Sequence, residues 1–200
     1  MEQASHYASI GGLIAVFALW LLFASTFLMR RKPEATTDRV KIPNSFIGLI
    51  LQLVAYLPVF MIGRTPFFSA FIEEQYLLNT ILQVVAIALA AASVWLAMSA
   101  VRELGKQWSL QARLVEGHKL ITTGPYNIVR HPIYTAMLGM LIATGIVYSY
   151  WWTTVAGVAI FIVGTKIRTV SEEKLLTDAF GAAFTDWKVK VPGLIPFVKL

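Results

Sequence analysis

Residues 151–165, WWTTVAGVAIFIVGT, run without a breaker into residues 166–176, KIRTVSEEKLL, and no helix-stopping residue follows before Gly181. Fifteen apolar residues reach about 22 Å at 1.5 Å per residue, short of a hydrocarbon core of about 30 Å. The helix is therefore expected to leave the lipid while still helical, carrying Arg168, Glu172 and Glu173 into the headgroup layer. Arg168 and Glu172 are four apart and share a face. Glu173 is turned away by about 100°. Such a segment belongs to an all-α integral membrane protein. The composition agrees: the 200 residues are 57% hydrophobic and 14% charged, against about 25% charge in a soluble domain.

Four more apolar runs lie upstream, at residues 8–29, 46–62, 77–100 and 133–149. The first lacks a basic lead-in and is too long for a signal-peptide core, so it reads as a span. Ser45 is placed to cap the second run, and Pro58 is expected to kink it. Tyr148, Tyr150, Trp151 and Trp152 crowd the last turn between spans, as an interfacial belt would. Of the 17 basic residues, 16 fall in three blocks, 30–41, 102–130 and 166–199, with Arg64 the exception. Blocks at alternate loops mark a cytoplasmic face, so the net charge of +6 is a topology signal and not a nucleic-acid one. Five transmembrane helices follow, with the N-terminus outside and the C-terminus cytoplasmic. Residues 1–101 hold the first three; residues 102–200 form a catalytic region with the last two, all as one structural unit.

The absence of cysteine excludes disulfides, thiolate nucleophiles and Cys-ligated zinc. His6, His118 and His131 have no metal-ligand spacing, so no metal is expected. The informative chemistry lies in the polar connection at 102–131, broken by Gly105, Gly117 and Gly124. Connections of that length are often functional. Its end reads Gly124-Pro125-Tyr126, then Arg130-His131-Pro132, then Tyr134. Proline is favoured at the first helical position, which sets His131 at a helix N-terminus, a ready anion site. Taken singly, these residues also read as capping and membrane-surface anchoring, and Arg168 with Glu172 as a solvated ion pair. Together they offer a carboxylate for an ammonium, a helix N-terminus for a carboxylate, and rings for a base or a sulfonium. That inventory suits an amino-acid-bearing nucleoside such as S-adenosyl-L-methionine.

The segment 108–197 resembles the isoprenylcysteine carboxyl methyltransferase family and its phospholipid methyltransferase relatives, in the compact prokaryotic form. The resemblance rests on His118-Lys119-Leu120-Ile121, Thr123-Gly124-Pro125-Tyr126, Arg130-His131-Pro132 with Tyr134, Arg168, Glu172-Glu173, Leu176, Phe180-Gly181, Val191-Pro192 and Ile195-Pro196-Phe197. It implies that Gln111, His118, Lys119, Leu120, Ile121, Tyr126, His131, Pro132, Ile133, Tyr134 and Glu172 contact the cofactor S-adenosyl-L-methionine. It implies that Arg168 engages the acceptor carboxylate. Phe184 and Trp187 stand where the family tail often has tyrosines. The expected function is membrane carboxyl O-methylation of a prenylcysteine-like or other amphiphilic acceptor entering from the bilayer. Membrane lipid is the expected surrounding, and no nucleic acid is involved. Alternatives are a phospholipid-amine N-methyltransferase, more distantly an NADPH-dependent membrane reductase, and a non-enzymatic membrane scaffold. Oligomeric state is not set by the sequence.

Overall fold

The computed structural model describes residues 2–28, 40–41, 44–64, 75–108, 113–114, 119–196 and 198. Gln111, His118 and the acidic pair Glu73-Glu74 lie outside the described residues. Among the described residues, seven α-helices carry the fold: α1 (Glu2–Leu28), α2 (Asn44–Val54), α3 (Leu57–Met61), α4 (Tyr76–Leu104), α5 (Pro132–Tyr148), α6 (Trp151–Phe180) and α7 (Ala182–Lys190). A two-residue antiparallel ladder pairs β1 (Val40–Lys41) with β2 (Arg113–Leu114).

Proline and glycine set most of these limits. The second apolar run breaks after Val54 and resumes as α3 with Pro58 in its first turn, the expected kink. The proline ring clashes with the preceding turn, so the break falls just ahead of it. Ser45 is not the cap: α2 already begins at Asn44, which puts Ser45 inside the first turn with a buried Oγ. Gly105 ends α4 at φ 56°, and Gly181 ends α6 at φ 52°, a left-handed backbone that other residues rarely take. α6 is one helix of 30 residues, about 45 Å long, and carries its charged segment as expected.

Among the described residues, three helices are long and apolar enough to cross a membrane: Gln3–Leu28, Tyr76–Gln107 and Trp151–Phe180. Ser45–Met61 and Pro132–Tyr148 are apolar but shorter. The chain is a helical integral membrane protein.

Small residues let the helices close on one another, as membrane packing favours. Along α4, Ala86, Ala90, Ser93, Ala97 and Ala100 form one buried stripe against its neighbours α1 and α5. α2 packs chiefly on α6, backbone to backbone. A Cβ at Gly48 would lie 2.7 Å from the Gly164 carbonyl oxygen, and a Cβ at Gly157 2.7 Å from that of Ala55. Buried amides and hydroxyls add bonds between helices. Asn79 Nδ2 donates to Ser5 Oγ (2.8 Å) and Ser9 Oγ (3.0 Å), and Trp20 Nε1 donates to Thr144 Oγ1 (2.8 Å).

Arg64, the one base outside the three blocks, is explained by packing. It is buried, and its Nη2 donates to the carbonyls of Ile146 and Val147 at 3.1 Å each, capping the C-terminus of α5. Burial lowers its pKa to about 10, which still leaves the cap charged at neutral pH. A cation at a helix C-terminus is favoured by the helix dipole.

Candidate active site

Pro132 opens α5 as its first residue, and His131 is the N-cap. The position is held by the C-terminal tail. Arg130 N donates to Pro192 O (2.8 Å) and His131 N donates to Gly193 O (3.0 Å). The Arg130 guanidinium also donates to the carbonyls of Lys188 (2.9 Å) and Val191. The loop before α5 and the tail after α7 are thus strapped together over the end of α6.

His131 sits between two carboxylates of α6. Its Nδ1 lies 3.5 Å from Glu172 Oε2 and its Nε2 3.2 Å from Glu173 Oε1. Burial alone would lower the imidazole pKa, but hydrogen bonds and charge from both glutamates outweigh it, and the net shift is upward. The sequence reading kept this helix N-terminus for a ligand carboxylate. In the structure two of the chain's own carboxylates flank its N-cap, because α6 stays helical far enough to bring them there.

Tyr134 stacks on His131, with ring centroids 5.6 Å apart and planes 10° apart. Its hydroxyl donates to Glu172 Oε1 and accepts from Arg168 Nε. Arg168 Nε also donates to Glu172 Oε1 at 3.1 Å, and the guanidinium lies over the Tyr134 ring at 5.2 Å. Arg168 is 4% exposed, so it is a nearly buried cation in a fixed pose. Glu173 has a different set of partners: Arg130 Nε at 3.0 Å, His131, and Lys188 Nζ at 2.7 Å on α7.

These groups head a cavity of about 660 Å³. Every described residue among the expected site residues lines it: Lys119, Leu120, Ile121, Tyr126, His131, Pro132, Ile133, Tyr134, Arg168 and Glu172. Glu173 does not line it. The structure adds walls that the sequence reading missed. α1 contributes Trp20, Phe23, Ala24, Phe27 and Leu28; α2 contributes Leu49, Gln52 and Leu53, followed by Tyr56. Phe184 and Trp187 of α7 line it as well. The polar end and the apolar end belong to one space. Leu28 and Leu53, at the ends of α1 and α2, line it and are 81% and 57% exposed. Deeper in, Trp20 meets Tyr56 and Phe60 with centroids 5.5 and 5.9 Å apart, which closes the gap between α1 and the α2–α3 run.

The cavity of this membrane protein is therefore lined by ionic groups at one end and apolar side chains at the other. The phospholipid methyltransferase family pattern matches residues 81–183, just over half of the chain. The chain belongs to the phospholipid methyltransferase family. It is 30% identical over 92 residues to protein-S-isoprenylcysteine O-methyltransferase B of Arabidopsis thaliana, a match covering 44% of this chain and 45% of that one. The chain thus spans under half the length of that relative. It is 24% identical over 199 residues to protein-S-isoprenylcysteine O-methyltransferase of Schizosaccharomyces pombe, covering 95% of this chain and 84% of that one. Its fold is similar to a solved eukaryotic intramembrane Ras methyltransferase, isoprenylcysteine carboxyl methyltransferase. The TM-score is 0.60 at 20% identity, over 98% of this chain and 68% of the other.

Proposed function

We propose that the protein is an S-adenosyl-L-methionine-dependent membrane methyltransferase that methylates the carboxylate of a prenylcysteine-like or similar amphiphile. The observation that carries the reading is the nearly buried Arg168 at the junction of the polar and apolar ends of one cavity. A buried guanidinium is always charged and grips a carboxylate at two points, whereas it repels an amine acceptor. The names of the plant and yeast relatives support the same substrate class.

The residues present fit the cofactor. Glu172 is an anion for its ammonium, Lys119 suits its carboxylate, and Tyr126, Tyr134 and Trp187 are rings for its flat and cationic parts. When bound, the cofactor supplies a methyl group already activated on a sulfonium. An ionised carboxylate needs no base to take it, so the chain's task is alignment and exclusion of water. Arg168 fixes the acceptor carboxylate, Tyr134 and Glu172 hold Arg168 in pose, and the α1 and α2 side chains keep the approach dry. The acceptor enters between α1 and α2 from the bilayer, and the cofactor enters from the cytosolic side past Lys119 and α7. Under this reading all five apolar segments span the membrane, with the N-terminus outside and the C-terminus cytoplasmic.

The test is transfer of labelled methyl by purified protein in lipid, with a farnesyl-cysteine carboxylate and with phosphatidylethanolamine as acceptors. Label in the carboxylate product alone is the expected result. Label in the amine product alone overturns the proposal.

A further inference from the structure

Four bases line the cavity, and three of them are committed to the protein itself. Arg130 is held by Glu173 and the carbonyls of Lys188 and Val191, His131 lies between Glu172 and Glu173, and Arg168 is bonded to Tyr134 and Glu172. The fourth, Lys119, is exposed, and its ammonium has no partner among the described residues. Its backbone is bonded to a second cavity-lining residue, Gln107, the last residue of the 3-10 turn Gly105–Gln107 that follows α4. Gln107 is half-buried, and its Oε1 accepts the Lys119 N–H. The bond joins residues 12 apart in sequence and fixes the plane of the Gln107 amide. The other end of that amide is open. Gln107 Nε2 has no hydrogen-bond partner among the described residues and is not sealed from solvent.

What this pair of groups lacks is an anion. Holding the Lys119 backbone takes only the side-chain oxygen at 107, which a glutamate would supply equally well. A glutamate there would also pair with the Lys119 ammonium and cancel it. The neutral amide holds the backbone, leaves Lys119 its charge and adds two N–H donors of its own. The two side chains are complementary in what they offer. An ammonium is a point charge on a flexible stem, which attracts an anion without fixing its direction. An amide whose oxygen is already tied points its N–H groups along set lines. We propose that Gln107 is a further cofactor-binding residue, its Nε2 donating to the carboxylate of S-adenosyl-L-methionine beside the Lys119 ammonium. This rests on the cofactor reading above. Glu172 then takes the cofactor's ammonium and Arg168 the acceptor's carboxylate, so the two carboxylates of the reaction are held by different residues.

The experiment compares two ligands that differ at one group: S-adenosyl-L-homocysteine, and its analogue with hydrogen in place of the carboxylate. Calorimetry in lipid nanodiscs, with no acceptor present, gives Kd for each with wild-type protein and with Gln107→Glu. That variant keeps an oxygen for the Lys119 N–H and replaces the Nε2 donor by a negative oxygen. Its affinity for S-adenosyl-L-homocysteine should fall about 10-fold or more, the worth of a hydrogen bond to a charged group. Its affinity for the decarboxylated analogue should stay within about threefold of wild type. Gln107→Met, which removes the donor and adds no charge, should lower the ratio of the two affinities in the same direction. A partly unfolded preparation lowers the binding stoichiometry and leaves the ratio of Kd values intact. Two results overturn the role of Gln107 and leave the cofactor reading standing: a ratio unchanged from wild type in both variants, whether the two affinities hold or fall together, and a wild type that binds both ligands equally. Wild-type protein that binds neither ligand overturns the cofactor reading itself.

Discussion

Replacing Glu173 by glutamine should destabilise the protein while leaving its ligand chemistry largely in place. Glu173 joins three basic residues from two segments: Arg130 and His131 at the start of α5 and Lys188 on α7. The Lys188 side chain is 45% exposed, so that pair is worth at most about 1 kcal/mol. Arg130 and His131 are 9% and 7% exposed, and breaking a buried pair on one side costs about 3–5 kcal/mol. Both keep other acceptors, Arg130 the carbonyls of Lys188 and Val191 and His131 the carboxylate of Glu172. The expected loss is therefore nearer about 2–4 kcal/mol, on the order of 10 °C in thermal midpoint for a chain of this size. The pH profile should move too. The folded pKa of His131 is raised above its ordinary 6.5, so the stability it contributes is complete below that value and is lost as pH rises through the raised one. Without Glu173 that alkaline loss should begin at lower pH. Thermal unfolding in detergent from about pH 6 to 9 measures both effects. A midpoint within about 2 °C of wild type, with the same pH profile, would refute the three-way junction.

Glu172 lines the cavity, so Glu172→Ala should weaken S-adenosyl-L-methionine binding by roughly 10- to 100-fold in calorimetry, the worth of a charged hydrogen bond; equal affinity would remove it from the cofactor site. Arg168→Lys keeps the charge but loses the planar grip, so turnover on a carboxylate acceptor should fall on the order of 100-fold while cofactor affinity stays near wild type. Full turnover would reduce Arg168 to a structural residue. Gly48→Ala forces a Cβ to 2.7 Å from the Gly164 carbonyl and should cost about 1–3 kcal/mol in thermal unfolding, and no loss would mean that α2 and α6 are not in backbone contact. In the cysteine-free chain, a cysteine at Gln75 should react with an impermeant reagent on intact cells and one at Asp186 should not; the reverse pattern would invert the topology.

The helix ends were legible because proline, glycine and the charge runs announce them. Pro132, Gly105 and Gly181 fall where the breaks occur, and the long α6 follows from the lack of any breaker between Trp151 and Gly181. The polar half of the cavity was legible from its residues, Tyr126, His131, Tyr134, Arg168 and Glu172. The apolar half was not. Helices such as α1 are apolar on every side, so hydropathy says that Trp20 and Phe27 lie in the membrane but not which face meets a cavity. A lone amide in an apolar run, Gln52, was the available signal. Glu173 was read by its rotation from Arg168, which describes one helix only. Its partners arrive from α7 and the loop before α5, at separations that helical spacing cannot register.

Under the proposed function, the contact of Trp20 with Tyr56 and Phe60 limits how far an acceptor reaches into the protein. Tyr56 also meets Phe161 of α6, seven residues or about two turns before Arg168, so a chain entering head-first meets an aromatic wall there. A hydrocarbon tail of the proposed acceptor would then bend out past Leu28 and Leu53 and lie in the surrounding lipid. Tail length then goes unread by the protein, and acceptors with short and long chains differ mainly in how firmly the bilayer itself retains them.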